Sequence, residues 1–165
     1  MPYKTMQRQN RWMKAGLAVI PILIVLLLGQ WATLPNIAGW YARLSKPAFN
    51  PPDWIFAPVW TCLYTLMAFA AWRIWMVPAH IEGRTSALIF FYLQLAFNAA
   101  WSWAFFALHS PALGFVDIVP QWILILVTIR RFHRLDRTAA YSLLPLAIWV
   151  AFAIALNLEV WRLNS

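Results

Sequence analysis

The sequence is short of the residues on which most catalytic and metal sites are built. Its 165 residues include one cysteine, three histidines and five glycines. The single cysteine, Cys62, excludes a disulfide or a thiolate metal site within one chain. The histidines lie in separate loops, no serine has a histidine and a carboxylate within plausible reach, and no glycine-rich phosphate loop is present. We therefore do not expect a metal site or an enzyme of the usual classes.

Charged residues are also scarce, at 11% of the chain against 63% apolar residues, and 12 residues are tryptophan. This composition lies far outside that of a soluble globular domain and indicates a membrane protein in a lipid bilayer. The net charge is +8, but the basic residues stand in short clusters at the ends of apolar segments. That distribution follows the positive-inside rule and excludes nucleic acid as the expected partner.

Five apolar segments are long enough to cross a bilayer as helices, which takes roughly 20 residues each. They predict an all-α integral membrane bundle of five transmembrane helices, forming a single domain over residues 1–165. The predicted spans are about 15–34, 54–76, 86–108, 112–130 and 139–161.

The connection between the first two spans, residues 35–53, is rich in proline. Pro47, Pro51 and Pro52 fix φ and withhold donors, which predicts a rigid, extended connector rather than a helix or a flexible linker. Asp53 is placed to cap the second helix. We expect this connector to form a lid over the mouth of the bundle and over a ligand pocket.

The basic residues are divided unequally between the two sides of the predicted bundle. With five spans the termini lie on opposite sides, and the lid, the third loop and the C-terminus hold only Arg43, Lys46 and Arg162. The charge bias predicts a cytoplasmic N-terminus and a lid on the opposite side. The cytoplasmic set comprises Lys4, Arg8, Arg11, Lys14, Arg73, Arg84, Arg130, Arg131, Arg134 and Arg137.

One face of the third span carries Gln94, Asn98, Trp101 and Phe105 at helical spacing. Buried amides in lipid need partners, so this stripe is predicted to face the bundle interior. Its amides then make either a helix-to-helix hydrogen bond or a ligand contact.

The opposite face of the same span is built from small residues, which let another helix approach closely. It is either a homodimer seam or an ordinary packing face within the chain. The face consists of Ala96, Ala100, Ala104 and Ala107.

Two tryptophans, Trp60 and Trp149, lie several residues inside their spans, unlike the tryptophans expected at the membrane interfaces. Trp60 shares its stripe with Tyr64, and Trp149 shares its stripe with Ala153 and Asn157. Together with the lid they predict a flat apolar cavity that takes a planar aromatic ligand.

Asp117 is the one acidic residue plainly within a span. An intramembrane carboxylate is a functional-site hypothesis, with Arg43 or polar groups near the connector as partners. The alternative is a structural or hydrated position near a helix start, where the helix dipole favours an acid.

These segments resemble the TspO/MBR family of tryptophan-rich sensory proteins and translocator proteins, also called peripheral-type benzodiazepine receptors. The resemblance covers essentially the whole chain, and it implies five transmembrane helices, a long first loop folded over the bundle mouth, and frequent dimers. It rests on WYARLSKPAFNPPDWIFAPVWTCLY at 40–64, QLAFNAAW at 94–101, FVD at 115–117, and PLAIW with LNLEVWRLN within 145–164.

The resemblance implies that the protein needs no cofactor and binds porphyrins such as protoporphyrin IX as ligands, as well as isoquinoline carboxamides and benzodiazepines. The implied function is tetrapyrrole sensing or transport. Trp60 and Trp149 correspond to indoles linked in bacterial relatives to light- and oxygen-dependent porphyrin degradation, which is the first alternative function; a structural membrane partner protein is the second. The implied pocket consists of Trp40, Tyr41, Pro51, Trp60, Tyr64, Asn98, Trp101, Trp149 and Ala153.

The chain departs from the family pattern in two places. Many relatives carry tryptophan where this chain has Ala48 and Phe49, so weaker stacking by the lid is expected. Leu158 and Glu159 replace the aromatic of the sterol motif of animal members, itself a weak pattern, so sterol handling is not expected. The missing tyrosine favours a bacterial cell membrane.

Overall fold

The structure, a computed structural model, describes the backbone of residues 2–165 and the side chains of residues 11–165. Within that range it is helical without strands, and five helical segments are long and apolar enough to cross a membrane. The predicted all-α membrane architecture is therefore confirmed. Lys4 and Arg8, which contributed to the predicted charge bias, have side chains that lie outside the described residues.

Four spans consist of one helix each, in some cases extended by a tighter or wider turn, and the fifth consists of two helices. The first and fourth helices extend furthest beyond the predicted spans. The spans are α1 (Pro2–Asn36) with a π-helical turn (Ile37–Tyr41), α2 (Phe56–Met76) after a 3-10 turn (Asp53–Ile55), α3 (Arg84–Ser102) with a second π-helical turn (Trp103–Ala107), α4 (Pro111–Leu135), and the short α5 (Arg137–Tyr141) followed by α6 (Leu144–Leu163).

Among the helix starts, those of α4 and α5 have a side-chain cap, and one predicted cap is absent. The Ser110 hydroxyl accepts a hydrogen bond from the Leu113 N–H (3.2 Å) just before Pro111, which is a favoured first helical residue. Asp53, however, lies inside the first turn of its 3-10 helix and caps nothing, because Pro52 holds the preceding position in an extended conformation. The prediction that Asp53 is a cap was wrong.

The connector is shorter than the sequence predicts. The first helix continues through the π-helical turn to Arg43, so only residues 44–52 are non-helical. The physical reason is the placement of proline: residues 36–46 contain none, and Pro47, Pro51 and Pro52 all fall in the non-helical part. Trp40 and Tyr41, predicted to lie in an extended lid, are therefore helical residues.

The five spans form a ring. The helix α1 packs against α2 and α3, α3 packs against α4, α4 packs against α6, and α2 closes the ring by packing against α5. Buried apolar side chains such as Met67, Phe91 and Ile125 fill the interior. Within the described residues α2 packs closely against α5 but not against α6. The backbones of these two long helices therefore lie further apart, and side chains such as those of Phe56 and Trp149 meet between them.

One end of the bundle, called the basic end below, gathers Arg11, Arg73, Arg84 and Arg131 where α1 and α3 begin and α2 and α4 finish. Arg84 is buried there, donates to the carbonyl of Ile74 (3.3 Å) and lies over the Trp75 ring. Arg131 donates to the Ser86 hydroxyl (2.7 Å). The arginines thus also join neighbouring helices.

An ion pair fastens α2 to the turn between α4 and α5 at the basic end. The Arg73 guanidinium lies 2.7 Å from the Asp136 carboxylate, which also accepts the Ala139 N–H (3.0 Å) and so caps α5. Burial opposes ionisation of Asp136, but its hydrogen bonds from Arg73 and from the Ala139 and Thr138 N–H groups, together with the charge of Arg73, outweigh burial. They hold the pKa of Asp136 below its usual value of 3.8.

We expect the Asp136→Asn variant to be less stable than the parent at pH 7 and to lose less stability on acidification. A carboxyl group whose pKa is lower in the folded state stabilises the fold above its unfolded pKa, and this contribution disappears as pH falls through the folded pKa. Because Arg73 is partly exposed, the effect is about 1 kcal/mol or less. Thermal unfolding midpoints in detergent at pH 7 and pH 3 measure it. Glu82→Gln, an exposed acid, is the control, and equal acid sensitivity of all three proteins would contradict the prediction.

Candidate functional site

The end of the bundle opposite the basic end carries a cluster of aromatic rings drawn from several helices. On α2 the Trp60 and Tyr64 rings lie 5.4 Å apart, and Phe56, one turn earlier, contacts Trp149 of α6 at 5.8 Å. Trp149 also contacts Phe152 at 5.6 Å. Phe56 therefore joins α2 to α6 at this end of the bundle.

Trp60 and Trp149 are both half-buried and pack against the buried core of the ring of helices. An indole in this position covers apolar neighbours with one part of its ring and leaves the other part accessible. Offset and edge-on contacts between aromatic rings of this kind are favourable.

A single polar pair joins α2 to α3 beside these rings. The Tyr64 hydroxyl donates to the Asn98 side-chain oxygen at 2.7 Å. Asn98 is buried, as are Gln94 and Phe105 of the same stripe, which confirms that the stripe faces the interior. Asn98 thus makes a helix-to-helix hydrogen bond, whereas the side-chain oxygen of Gln94 has no partner among the described residues.

A second buried amide, Asn157, fixes the orientation of Trp101. The Trp101 indole N–H donates to the Asn157 side-chain oxygen (3.0 Å), and the Asn157 amide donates to the carbonyl of Pro111 (2.7 Å). Trp101 also stacks on Phe105, with centroids 5.1 Å apart. Asn157 therefore ties α3, α4 and α6 together, a role its place on a stripe with Trp149 did not reveal.

The π-helical turn at the end of the first span holds Trp40 and Tyr41 against the end of α3. Trp40 stacks on His109 with centroids 4.8 Å apart and meets Phe105 edge-on at 5.5 Å, while Tyr41 contacts Phe106 at 5.5 Å. These contacts place both residues in one apolar cluster with the ring on which Trp101 stacks.

His109 anchors this turn by a contact that the sequence analysis missed. Its Nε2 lies 2.7 Å from the Asn36 side-chain oxygen, and the Asn36 amide donates to the carbonyl of Ala32 (2.9 Å). His109 adopts a left-handed conformation with φ of 53°, which is costly for a residue with a Cβ. The strained turn puts the imidazole under Trp40, so His109 acts as a support for that indole.

The connector itself is held at its beginning and touches the aromatic cluster near its middle. The Ser45 backbone exchanges two hydrogen bonds of 2.9 Å with the Asn164 side chain, at the end of α6. Phe49 contacts Phe152 edge-on at 6.3 Å, and Pro51 is half-buried. Ala153, next to Phe152, is also half-buried.

Two further candidates lie away from these rings. On the alanine face, Ala96 and Ala100 are exposed, whereas Ala104 and Ala107 are half-buried. Asp117 is half-buried, and one of its oxygens has no partner among the described residues. Its suggested partner, Arg43, donates instead to the carbonyl of Gly39 at 3.2 Å.

Known proteins are similar to this chain over most of its length. The TspO/MBR family model matches residues 17–162. The chain is 40% identical over 131 residues to the tryptophan-rich protein TspO of Chlorobaculum tepidum, covering 79% of this chain and 83% of that protein. It is 40% identical over 125 residues to the tryptophan-rich sensory protein of Cereibacter sphaeroides (76% and 77% covered), and 33% identical over 160 residues to the translocator protein of Sus scrofa (93% and 92% covered).

Proposed function

The chain belongs to the TspO/MBR family, and from that premise we propose that it is a membrane receptor or carrier that binds porphyrins and other flat apolar molecules. The observation that carries this proposal is the aromatic cluster of α2 and α6, in which Trp60 lies beside Tyr64 and Phe56 contacts Trp149. The names of its relatives, a sensory protein and a translocator protein, support sensing or transport of a tetrapyrrole. The proposed pocket consists of Trp40, Tyr41, Pro51, Trp60, Tyr64, Asn98, Trp101, Trp149 and Ala153.

The chemistry of the pocket fits a planar ligand with a polar edge. The Trp60 and Trp149 rings offer flat apolar surface, and a porphyrin macrocycle buries more of that surface than a flexible chain does. The Tyr64–Asn98 pair supplies a hydroxyl and an amide at the same depth, where a polar substituent of the ligand finds partners. The proposed entrance lies between α2 and α6, below the connector.

In the proposed function the five helices cross a lipid bilayer and form one domain. The gathering of arginines at the basic end supports a cytoplasmic N-terminus in a bacterial cell membrane, with the connector on the opposite side. The exposed Ala96 and Ala100 support a homodimer through the alanine face, which would include Ala104 and Ala107.

Titration of the purified protein with protoporphyrin IX tests the proposed binding function. We expect saturable quenching of tryptophan fluorescence, because the rings of the pocket would lie in contact with the macrocycle. A linear lipid-like molecule of similar hydrophobicity serves as the ligand control and should quench little. Quenching that rises without saturation would contradict a specific pocket and leave a structural partner role as the better reading.

The second candidate function is light-dependent porphyrin degradation. Its support is the placement of two half-buried, oxidisable indoles, Trp60 and Trp149, on either side of the proposed entrance. Illumination of the porphyrin complex in the presence of oxygen should then yield a product with a new absorption spectrum. The Trp60→Phe/Trp149→Phe double variant should still bind porphyrin but form no product. Unaltered product formation in that variant would exclude these indoles from the reaction.

A further inference from the structure

A groove separates α1 from α2 at the basic end, far from the aromatic cluster. It has a volume of about 550 Å³ and is lined by Arg11, Trp12, Ala15, Val19 and Trp72. A smaller recess of about 250 Å³ adjoins it through Arg11 and Trp72 and reaches the Arg73–Asp136 ion pair. Apart from Arg11, every side chain that lines the larger groove is apolar or aromatic.

The groove runs along the first helix rather than across it. Val19, Ala15 and Arg11 follow one another at intervals of four residues, so they form a single stripe about 12 Å long at 1.5 Å per residue. The small side chain of Ala15 leaves room between the rings of Trp12 and Trp72. Because α1 crosses the membrane, this stripe leads from the apolar interior of the bilayer to a cation at its surface.

The charge at the open end is positive. Arg73 is paired with Asp136, whereas Arg11 is exposed and forms no ion pair with any residue among 11–165. The guanidinium groups of Arg11 and Arg73 and the carboxylate of Asp136 together give the lining of the recess a net charge of one positive unit. Guanidinium groups hold phosphate oxygens through charge-assisted, often paired, hydrogen bonds.

We propose that this groove is a binding site for an anionic glycerophospholipid from the bilayer leaflet at the basic end. One acyl chain lies along Val19 and Ala15 between the two indoles, and the headgroup phosphate lies against Arg11, with Arg73 at its side. The combination of an apolar stripe with a cation at its surface end matches the shape and polarity of such a lipid. The site is independent of the porphyrin pocket and of the proposed function.

Native mass spectrometry of the purified protein tests this site with two lipids that share the same acyl chains, phosphatidylglycerol and phosphatidylcholine. We expect preferential retention of phosphatidylglycerol, and a roughly fivefold weaker preference in Arg11→Gln, since one basic residue near an anionic surface contributes about that factor. Arg130→Gln removes an exposed cation from the same end but outside the groove, and it should leave the preference unchanged. Equal effects of Arg11→Gln and Arg130→Gln would overturn the proposal in favour of general surface attraction.

Two further measurements separate the parts of the site. Ala15→Leu fills the groove without a change in charge and should reduce retention of both lipids, whereas unchanged retention would overturn the acyl-chain placement. Inorganic phosphate at the same concentration should not displace phosphatidylglycerol, and displacement would show that the recess binds free phosphate instead. Protoporphyrin IX titration of Arg11→Gln and Ala15→Leu, expected to match the parent, controls for correct folding.

Discussion

Trp149→Ala is expected to raise the dissociation constant for protoporphyrin IX by about 5- to 150-fold, equivalent to about 1–3 kcal/mol. Trp149 is half-buried, contacts Phe56 and Phe152, and belongs to the proposed pocket. Its removal takes away an indole of α6 that is proposed to stack on the ligand. Fluorescence titration and competition with an unlabelled planar ligand both measure the change.

The control for this experiment is Trp31→Ala. Trp31 is 72% exposed and meets only Trp103 edge-on, at 6.5 Å, among the aromatic rings of residues 11–165. Like Trp149→Ala, this change removes one indole from the fluorescence signal, but it removes no part of the proposed pocket. If Trp31→Ala and Trp149→Ala weakened porphyrin binding equally, the ligand would have to bind elsewhere.

The fold was largely predictable because the length of an apolar segment indicates a membrane span regardless of which helices pack beside it. A run of about 20 apolar residues spans a bilayer whichever helix lies beside it, and all five spans were found. The structural errors concern the connector and the Asp53 cap at its end. Prolines 47, 51 and 52 all lie in its non-helical part, but residues 36–43 contain no proline, and the first span continues there.

For the interior contacts, the sequence predicted which face of a helix points inward but not which residues pair. Helical spacing placed Gln94 and Asn98 on an interior stripe, but it could not tell that Tyr64 would reach Asn98, or that Asn157 would hold the Trp101 indole. Those pairs depend on which helices are neighbours in the ring, a property of the whole fold. The support of Trp40 by His109 was hidden in the same way, since it joins residues far apart in the chain.

Gly114→Ala is expected to lower stability by about 1–3 kcal/mol, the usual cost of forcing extra atoms into a packed core. A Cβ at this buried glycine would lie 2.8 Å from the Asn157 side-chain oxygen and 3.0 Å from Phe105 Cδ2. Asn157 cannot turn aside without losing the Trp101 N–H or the Pro111 carbonyl. The measurement is the thermal unfolding midpoint in detergent micelles.

The matched control is Gly16→Ala in α1, where the nearest atom to a new Cβ is Ile20 Cδ1 at 3.7 Å. With ordinary contact there, alanine should stabilise by about 0.5–1 kcal/mol through its better helix propensity. If Gly114→Ala lowers the stability and Gly16→Ala raises it, then Gly114 is required for the close approach of α3, α4 and α6. Because Trp101 is held by Asn157, Gly114→Ala should also weaken porphyrin binding, whereas Gly16→Ala should not. A stable Gly114→Ala protein with unchanged affinity would mean that the three helices do not meet as closely as these distances require.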